Sequence, residues 1–254
     1  MRKFLTLAAA AAAVMFGASA HAVPTLIITL TDLGGGATTS CSITSAGFAG
    51  GCGAGFTLGG TNGVGNLVGG FSGLLGGYSI NFTTNQTNAP GAADLGEINM
   101  SFTSIQNKSS AGSLQVSLAA FDFTLPSGPA MTLFGSQALS GNTNNPGTIG
   151  AQYFVSDSNA NFASSAATAS SSTSLLATTA ASINAAPVNW MRTGPEFSAE
   201  NILTFGLSIG GAAVNGSANL SVRNRIPEPM TTALVGLGLF GAAFFSRRRK
   251  AVTA

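Results

Sequence analysis

The sequence predicts a mainly β protein, a two-sheet β-sandwich of jelly-roll-like type, on three observations. Apolar and small polar residues alternate with a period of two in several segments, the pattern of strands that bury one face. Those segments are short and are separated by Gly, Asn and Pro, the residues that turns require. No stretch between them carries an apolar face at helical spacing. A disordered chain has no use for Phe, Ile and Leu recurring at period two, and the lack of a fixed repeat argues against a β-helix.

In chain order, Thr25 to Leu30 is the first expected strand. Gly34 to Gly77 is so dense in glycine that it is expected to be a long loop. Tyr78 to Phe82 alternates ring or aliphatic residues with small polar ones, and Ile98, Met100 and Phe102 alternate with Asn99 and Ser101. Leu114, Val116 and Leu118 repeat the pattern. Phe121, Phe123 and Leu125 resume it after a one-residue shift at Ala119–Ala120, which a β-bulge would produce, and Pro126 stops it. Ser164 to Ser174, almost wholly Ser, Thr and Ala, is expected to be a flexible connector or a weak helix. Leu203, Phe205, Leu207 and Ile209 form another strand, and Leu220 with Val222 the last.

The two ends of the chain have a different character. Arg2 and Lys3 precede an apolar run from Phe4 to Phe16, and Ala20-His21-Ala22 is an A-x-A cleavage site, so residues 1–22 have the layout of a secretory signal peptide removed after Ala22. At the other end, residues 230–245 carry no charge and reach about 24 Å as a helix, a minimal transmembrane helix against a hydrocarbon core of about 30 Å. Arg247, Arg248, Arg249 and Lys250 then form a stop-transfer cluster that stays cytoplasmic. Ahead of the apolar run stand Pro227, Glu228 and Pro229; the prolines lack N–H donors and hold this segment extended and accessible. The division is therefore residues 1–22 as signal peptide, residues 23–224 as β-rich mature body and residues 225–250 as a tail.

Pro227-Glu228-Pro229, the apolar run and the basic tail resemble the PEP-CTERM sorting signal of exported bacterial proteins. The resemblance covers the tail alone. It implies an intermediate held transiently in the inner membrane, recognition by an exosortase-type processing enzyme, and then a place at the cell surface or outside the cell. For the body it leads to the expectation of a non-enzymatic surface or extracellular-matrix protein, with exopolysaccharide as a partner for its many hydroxyl and amide side chains. An ice-binding or adhesive module is the alternative, although only Thr29-Leu-Thr31 has the Thr-x-Thr form such a face needs.

Composition narrows the chemistry. Between Val23 and Ile226, Lys108, Arg192, Arg223 and Arg225 are outnumbered by Asp32, Asp94, Glu97, Asp122, Asp157, Glu196 and Glu200, so the body is mildly acidic and has no basic cluster for nucleic acid. The one histidine, His21, falls in the signal peptide, which removes Ser-His-Asp, Cys-His and His-ligated zinc chemistry from the mature chain. A carboxylate-dependent glycosidase remains, with Asp94 and Glu97, or Glu196 and Glu200, as sequence-near pairs. Solvated strand-end charges explain the same residues. Asp157-x-Asn159-x-Asn161 begins like a calcium loop, but Phe162 stands where the turn glycine belongs and no acid closes it. Gly236, Gly238 and Gly241 match a dinucleotide fingerprint inside the apolar run, where it has no meaning. Neither a metal nor a cofactor is called for. Cys41 and Cys52, an even count in an exported chain, are expected to form a disulfide rather than a metal site, isolated buried thiols being the alternative.

Overall fold

The computed structural model describes residues 25–61, 66–87, 95–140, 147–157, 167–174 and 180–225, and every regular element among them is a strand. In chain order they are β1 (Thr25–Asp32), β2 (Thr38–Thr44), β3 (Gly47–Gly50), β4 (Phe56–Thr61), β5 (Leu67–Leu75), β6 (Tyr78–Thr87), β7 (Leu95–Asn107) and β8 (Leu114–Phe123). There follow β9 (Ala130–Ser140), β10 (Gly147–Ser156), β11 (Ala167–Ser174), β12 (Ala180–Asn184), β13 (Val188–Met191), β14 (Phe197–Leu207) and β15 (Val214–Asn224). Two antiparallel sheets result. The first has the order β11-β10-β14-β8-β1-β2-β3, and the second β12-β9-β15-β7-β6-β5-β4 with β13 also on β9.

The alternation read from the sequence is what joins the sheets. Leu26, Ile28 and Leu30 of β1, Val116 and Leu118 of β8, and Leu203 and Phe205 of β14 are fully buried, as are Ile98 of β7 and Leu220 and Val222 of β15. Phe102 of β7 meets Phe205 of β14 edge to face at 5.1 Å, a contact that crosses from one sheet to the other. Each such side chain contributes about 1.5–3 kcal/mol on leaving water, so the shared core is the main attraction between the layers.

Two expectations are corrected. The glycine-dense stretch Gly34 to Gly77 is not one long loop but holds β2, β3, β4 and β5. At Gly69 an added Cβ would lie 2.3 Å from Ile43 Cδ1, so this glycine lets β5 lie close beneath β2 rather than marking a turn. The Ser/Thr/Ala stretch is likewise neither connector nor helix where it is described, because Ala167–Ser174 is β11 and pairs with β10 along its length. The β8 irregularity exists but lies further on. Phe123 pairs with Phe197 and Ala120 with Ala199, which leaves Phe121 and Asp122 opposite Ser198, with Asp122 at φ 67°. Ala120 is therefore buried and Phe121 turns to the outer face. Ile209 lies beyond the end of β14 and is exposed.

The two ends of the sandwich differ. At one, Asp32 is buried and accepts hydrogen bonds from the Gly34, Gly35 and Gly77 amides and from Ser110 Oγ. Burial alone would raise its pKa; the four donors hold it below the ordinary carboxylate range. Asn107 Nδ2 donates to the Ser110 and Leu207 carbonyls, and Tyr78 Oη to those of Gly112 and Phe205. Turns from both sheets are thus tied by one buried polar cluster. The other end carries Arg225, the last described residue before the tail.

Candidate functional site

The functional signal of this chain lies in its tail, so the site begins where the tail joins the body. β15 is an interior strand, paired with β9 on one side and β7 on the other. Its hold on the chain continues past its last residue: the Arg225 amide donates to Ala130 O at 2.8 Å, and the Gly128 amide donates to Asn224 Oδ1 at 3.0 Å. Arg225 is thus fixed two residues before Pro227. Pro227, Glu228, Pro229, the run 230–245, Arg247, Arg248, Arg249 and Lys250 lie outside the described residues, as do Ala20 and Ala22 of the signal cleavage site. Among the described residues no helix is long and apolar enough to cross a membrane.

Around the exit, Arg192 organises the loops. Its Nε donates to Gly194 O at 2.9 Å, Nη1 to Thr124 O and Pro126 O at 3.0 and 2.6 Å, and Nη2 to Pro195 O, while its guanidinium sits 5.1 Å from the centre of the Phe197 ring. Burial lowers its pKa, and Asp157 and Glu196 oppose that shift. Trp190 Nε1 and Thr193 Oγ1 both donate to Asp157, at 3.0 and 3.1 Å. Asp157 is therefore held in a structural network, and Asn159 and Asn161 of the calcium-like motif lie outside the described residues. A trough of about 320 Å³ opens beside the exit, lined by Ser127, Gly128 and Pro129 on one side and Arg192, Gly194 and Pro195 on the other. No sequence signal marked Arg192, because its acceptors are backbone carbonyls brought together only by the fold.

The remaining candidates separate. Cys41 and Cys52 form a disulfide. Glu196 precedes β14 and lies beside Arg192, whereas Glu200 lies within the strand. Glu200 accepts from Ser117 Oγ, and burial raises its pKa against that hydrogen bond. Glu97 accepts from Asn219 Nδ2, and its sequence neighbour Asp94 lies outside the described residues. No group of three or more metal-ligating side chains occurs among the described residues.

What the fold does assemble is polar surface. On the outer face of the first sheet, the register sets Ser170, Gln152, Ile202, Ser117, Thr29 and Ser40 side by side across six strands, with Thr204, Gln115, Thr31 and Thr38 in the next row. On the second sheet Ser136, Asn219 and Asn99 form one row and Ala138, Ser217, Ser101 and Thr83 another. Neighbours within a row stand about 4.8 Å apart. A shallow trough of about 470 Å³ runs over Gly150, Gln152, Ser170 and Thr204.

Comparison with known proteins bears on the tail. Residues 225–250 match the family model described as the PEP-CTERM protein-sorting motif. The chain carries a PEP-CTERM sorting signal. That signal indicates an exported protein with a membrane-anchored intermediate, processed by an exosortase. The match begins at Arg225, the last described residue of the chain, whose amide is bonded to Ala130 O. No curated protein matches the chain. Among solved structures, TmCBM61 in complex with beta-1,4-galactotriose is 12% identical over 51% of this chain and 71% of that one, with a TM-score of 0.27. The enzymatically active domain of bacteriophage CBA120 tailspike protein 4 is 11% identical over 56% of this chain and 19% of that one, TM-score 0.29. Arthrobacter globiformis isomalto-dextranse complexed with panose is 14% identical over 61% and 23%, TM-score 0.25. Overlaps this loose leave the ligand of the body to its own surface chemistry.

Proposed function

We propose that this is a non-enzymatic cell-surface or extracellular-matrix protein whose jelly-roll-like sandwich is delivered by its PEP-CTERM tail and associates with exopolysaccharide. The observation that carries the reading is the pair of wide outer faces, ranked with Ser, Thr, Asn and Gln and nearly free of charge. Hydroxyl and amide groups both donate and accept, so they can exchange hydrogen bonds with sugar hydroxyls at many points of a flat sheet. The signal peptide, cleaved after Ala22, and the anchor 230–245 bring the body to the outer side of the inner membrane, and cleavage near Pro227-Glu228-Pro229 releases or attaches it.

Two measurements test this. Expression with and without an exosortase is expected to give a mature chain of lower mass only with the enzyme present; one mass in both strains rejects processing. Equilibrium binding of the purified mature protein to the host polysaccharide is expected to be measurable at both low and high salt, and no binding at either rejects the ligand. The adhesive or ice-binding alternative has one observation behind it. Thr31 lies opposite Thr38 and Thr29 opposite Ser40, which widens the single Thr-x-Thr of the sequence into a small patch. Thr38 Oγ1 lies 3.4 Å from Thr31 Oγ1, so those hydroxyls contact one another.

A further inference from the structure

In the membrane-anchored intermediate, the body is joined to its anchor by very little chain. Arg225 is fixed to Ala130 by its amide, and the apolar run begins at Met230, so residues 226–229 are the whole tether. Fully extended, they place the sheet within about 18 Å of the first membrane residue. β1 begins at the same end of the sandwich, since Leu26 pairs with Ala120 near the end of β8 that reaches Phe123, so both ends of the body leave on one side.

The surface at that end has a defined chemistry on the second sheet. Arg223, near the end of β15, and Arg225, just past it, are both exposed. Beside them Met191 is 63% exposed and Phe134 36%, with Arg223 stacked 5.5 Å from the Phe134 ring. Register sets Arg223 against Thr132, and Thr132 against Asn189 of β13, making one continuous corner. Of the acids toward this end, Asp122 is on β8 and Asp157 and Glu196 flank Arg192 toward the first sheet, while Glu97, one strand away on β7, accepts from Asn219.

We propose that this corner, Arg223 and Arg225 with Met191 and Phe134, is a membrane-docking surface that lies on anionic phospholipid headgroups while the tail is anchored. It rests on the reading of residues 230–245 as the anchor and adds an orientation to it. The arginines meet lipid phosphates, the two apolar side chains enter the headgroup boundary, and the acidic first-sheet side of the end faces away. The sandwich then stands on its second-sheet corner, with its opposite, Asp32-tied end pointing outward.

Trp190, the sole tryptophan, lies beside this corner and reports on it. The full chain is reconstituted in phosphatidylglycerol-containing vesicles carrying a spin label at headgroup depth. Trp190 is expected to lose about half its emission relative to unlabelled vesicles when the corner is docked. A second chain carries a flexible Gly/Ser spacer of about twelve residues between Arg225 and Ile226, which frees the body to drift. Docking predicts that the spacer chain stays quenched and that Arg223→Gln with Arg225→Gln on the spacer background removes the quenching, near-ultraviolet circular dichroism confirming the fold. An unquenched native chain, or a spacer chain that loses quenching by itself, overturns the proposal. A chain that does not float with the vesicles overturns the anchor reading, and the docking surface with it.

Discussion

Asp32 shows how much one side chain can hold at the residue scale. Its carboxylate meets four donors from turns of both sheets, and its pKa lies below the ordinary value. A depressed carboxylate pKa stabilises the fold above the unfolded-state value, and that contribution is lost as pH falls through the folded-state value. Asp32→Asn is therefore expected to cost about 2 kcal/mol at neutral pH and to flatten the acid side of the stability profile, measured by denaturant titration across pH. Glu200 has the opposite sign. Its pKa is raised by burial, so the wild type loses stability as pH climbs from the ordinary glutamate value through the raised one. Glu200→Gln is expected to remove that loss and to leave neutral-pH stability equal or higher in the same titration. Neither role was legible in the sequence. In the sequence Asp32 is only one of the acids that make the body mildly acidic, because Ser110 and Gly77, its distant donors, arrive only with the folded turns.

At the element scale the disulfide and the Arg192 fan fasten segments that lack long apolar runs. Cys41 sits in the core on β2, and Cys52 follows the short β3, which is only four residues long. Replacing both cysteines by alanine is expected to cost about 3 kcal/mol in the chain-entropy account, read from the shift of a denaturation midpoint. Arg192→Lys tests the fan. A lysine carries the charge but not the planar set of donors, so the Thr124, Pro126, Gly194 and Pro195 carbonyls lose directed partners and a loss of about 2 kcal/mol is expected by the same measurement. Strand legibility followed side-chain size. β1, β7, β8 and β14 announced themselves because alternate large apolar residues define a face regardless of neighbours. β5 and β11 did not, since Gly and Ser/Thr/Ala have no apolar period and are strands because adjoining strands satisfy their backbones.

For the whole molecule, outer faces nearly free of charge predict binding with little electrostatic content. The affinity of the mature protein for polysaccharide is expected to change by less than about twofold when ionic strength rises from roughly 0.05 to 0.5 M, whereas a charge-driven contact weakens sharply over that range. A steep salt dependence in a binding isotherm would transfer the site to the arginine corner. The address of the protein was written in the sequence: a tripeptide, an apolar run and a basic cluster act through local composition and order, and chain-local chemistry needs no fold to be read. The sandwich was also foreseen in kind, because period-two burial is a local property of strands. The order of the strands, the rows that make two broad polar faces, and the single end at which Thr25 and Arg225 both emerge were settled by tertiary structure alone. They depend on which distant segments hydrogen-bond to one another, and residues far apart in the chain acquire a common surface only after that pairing is made.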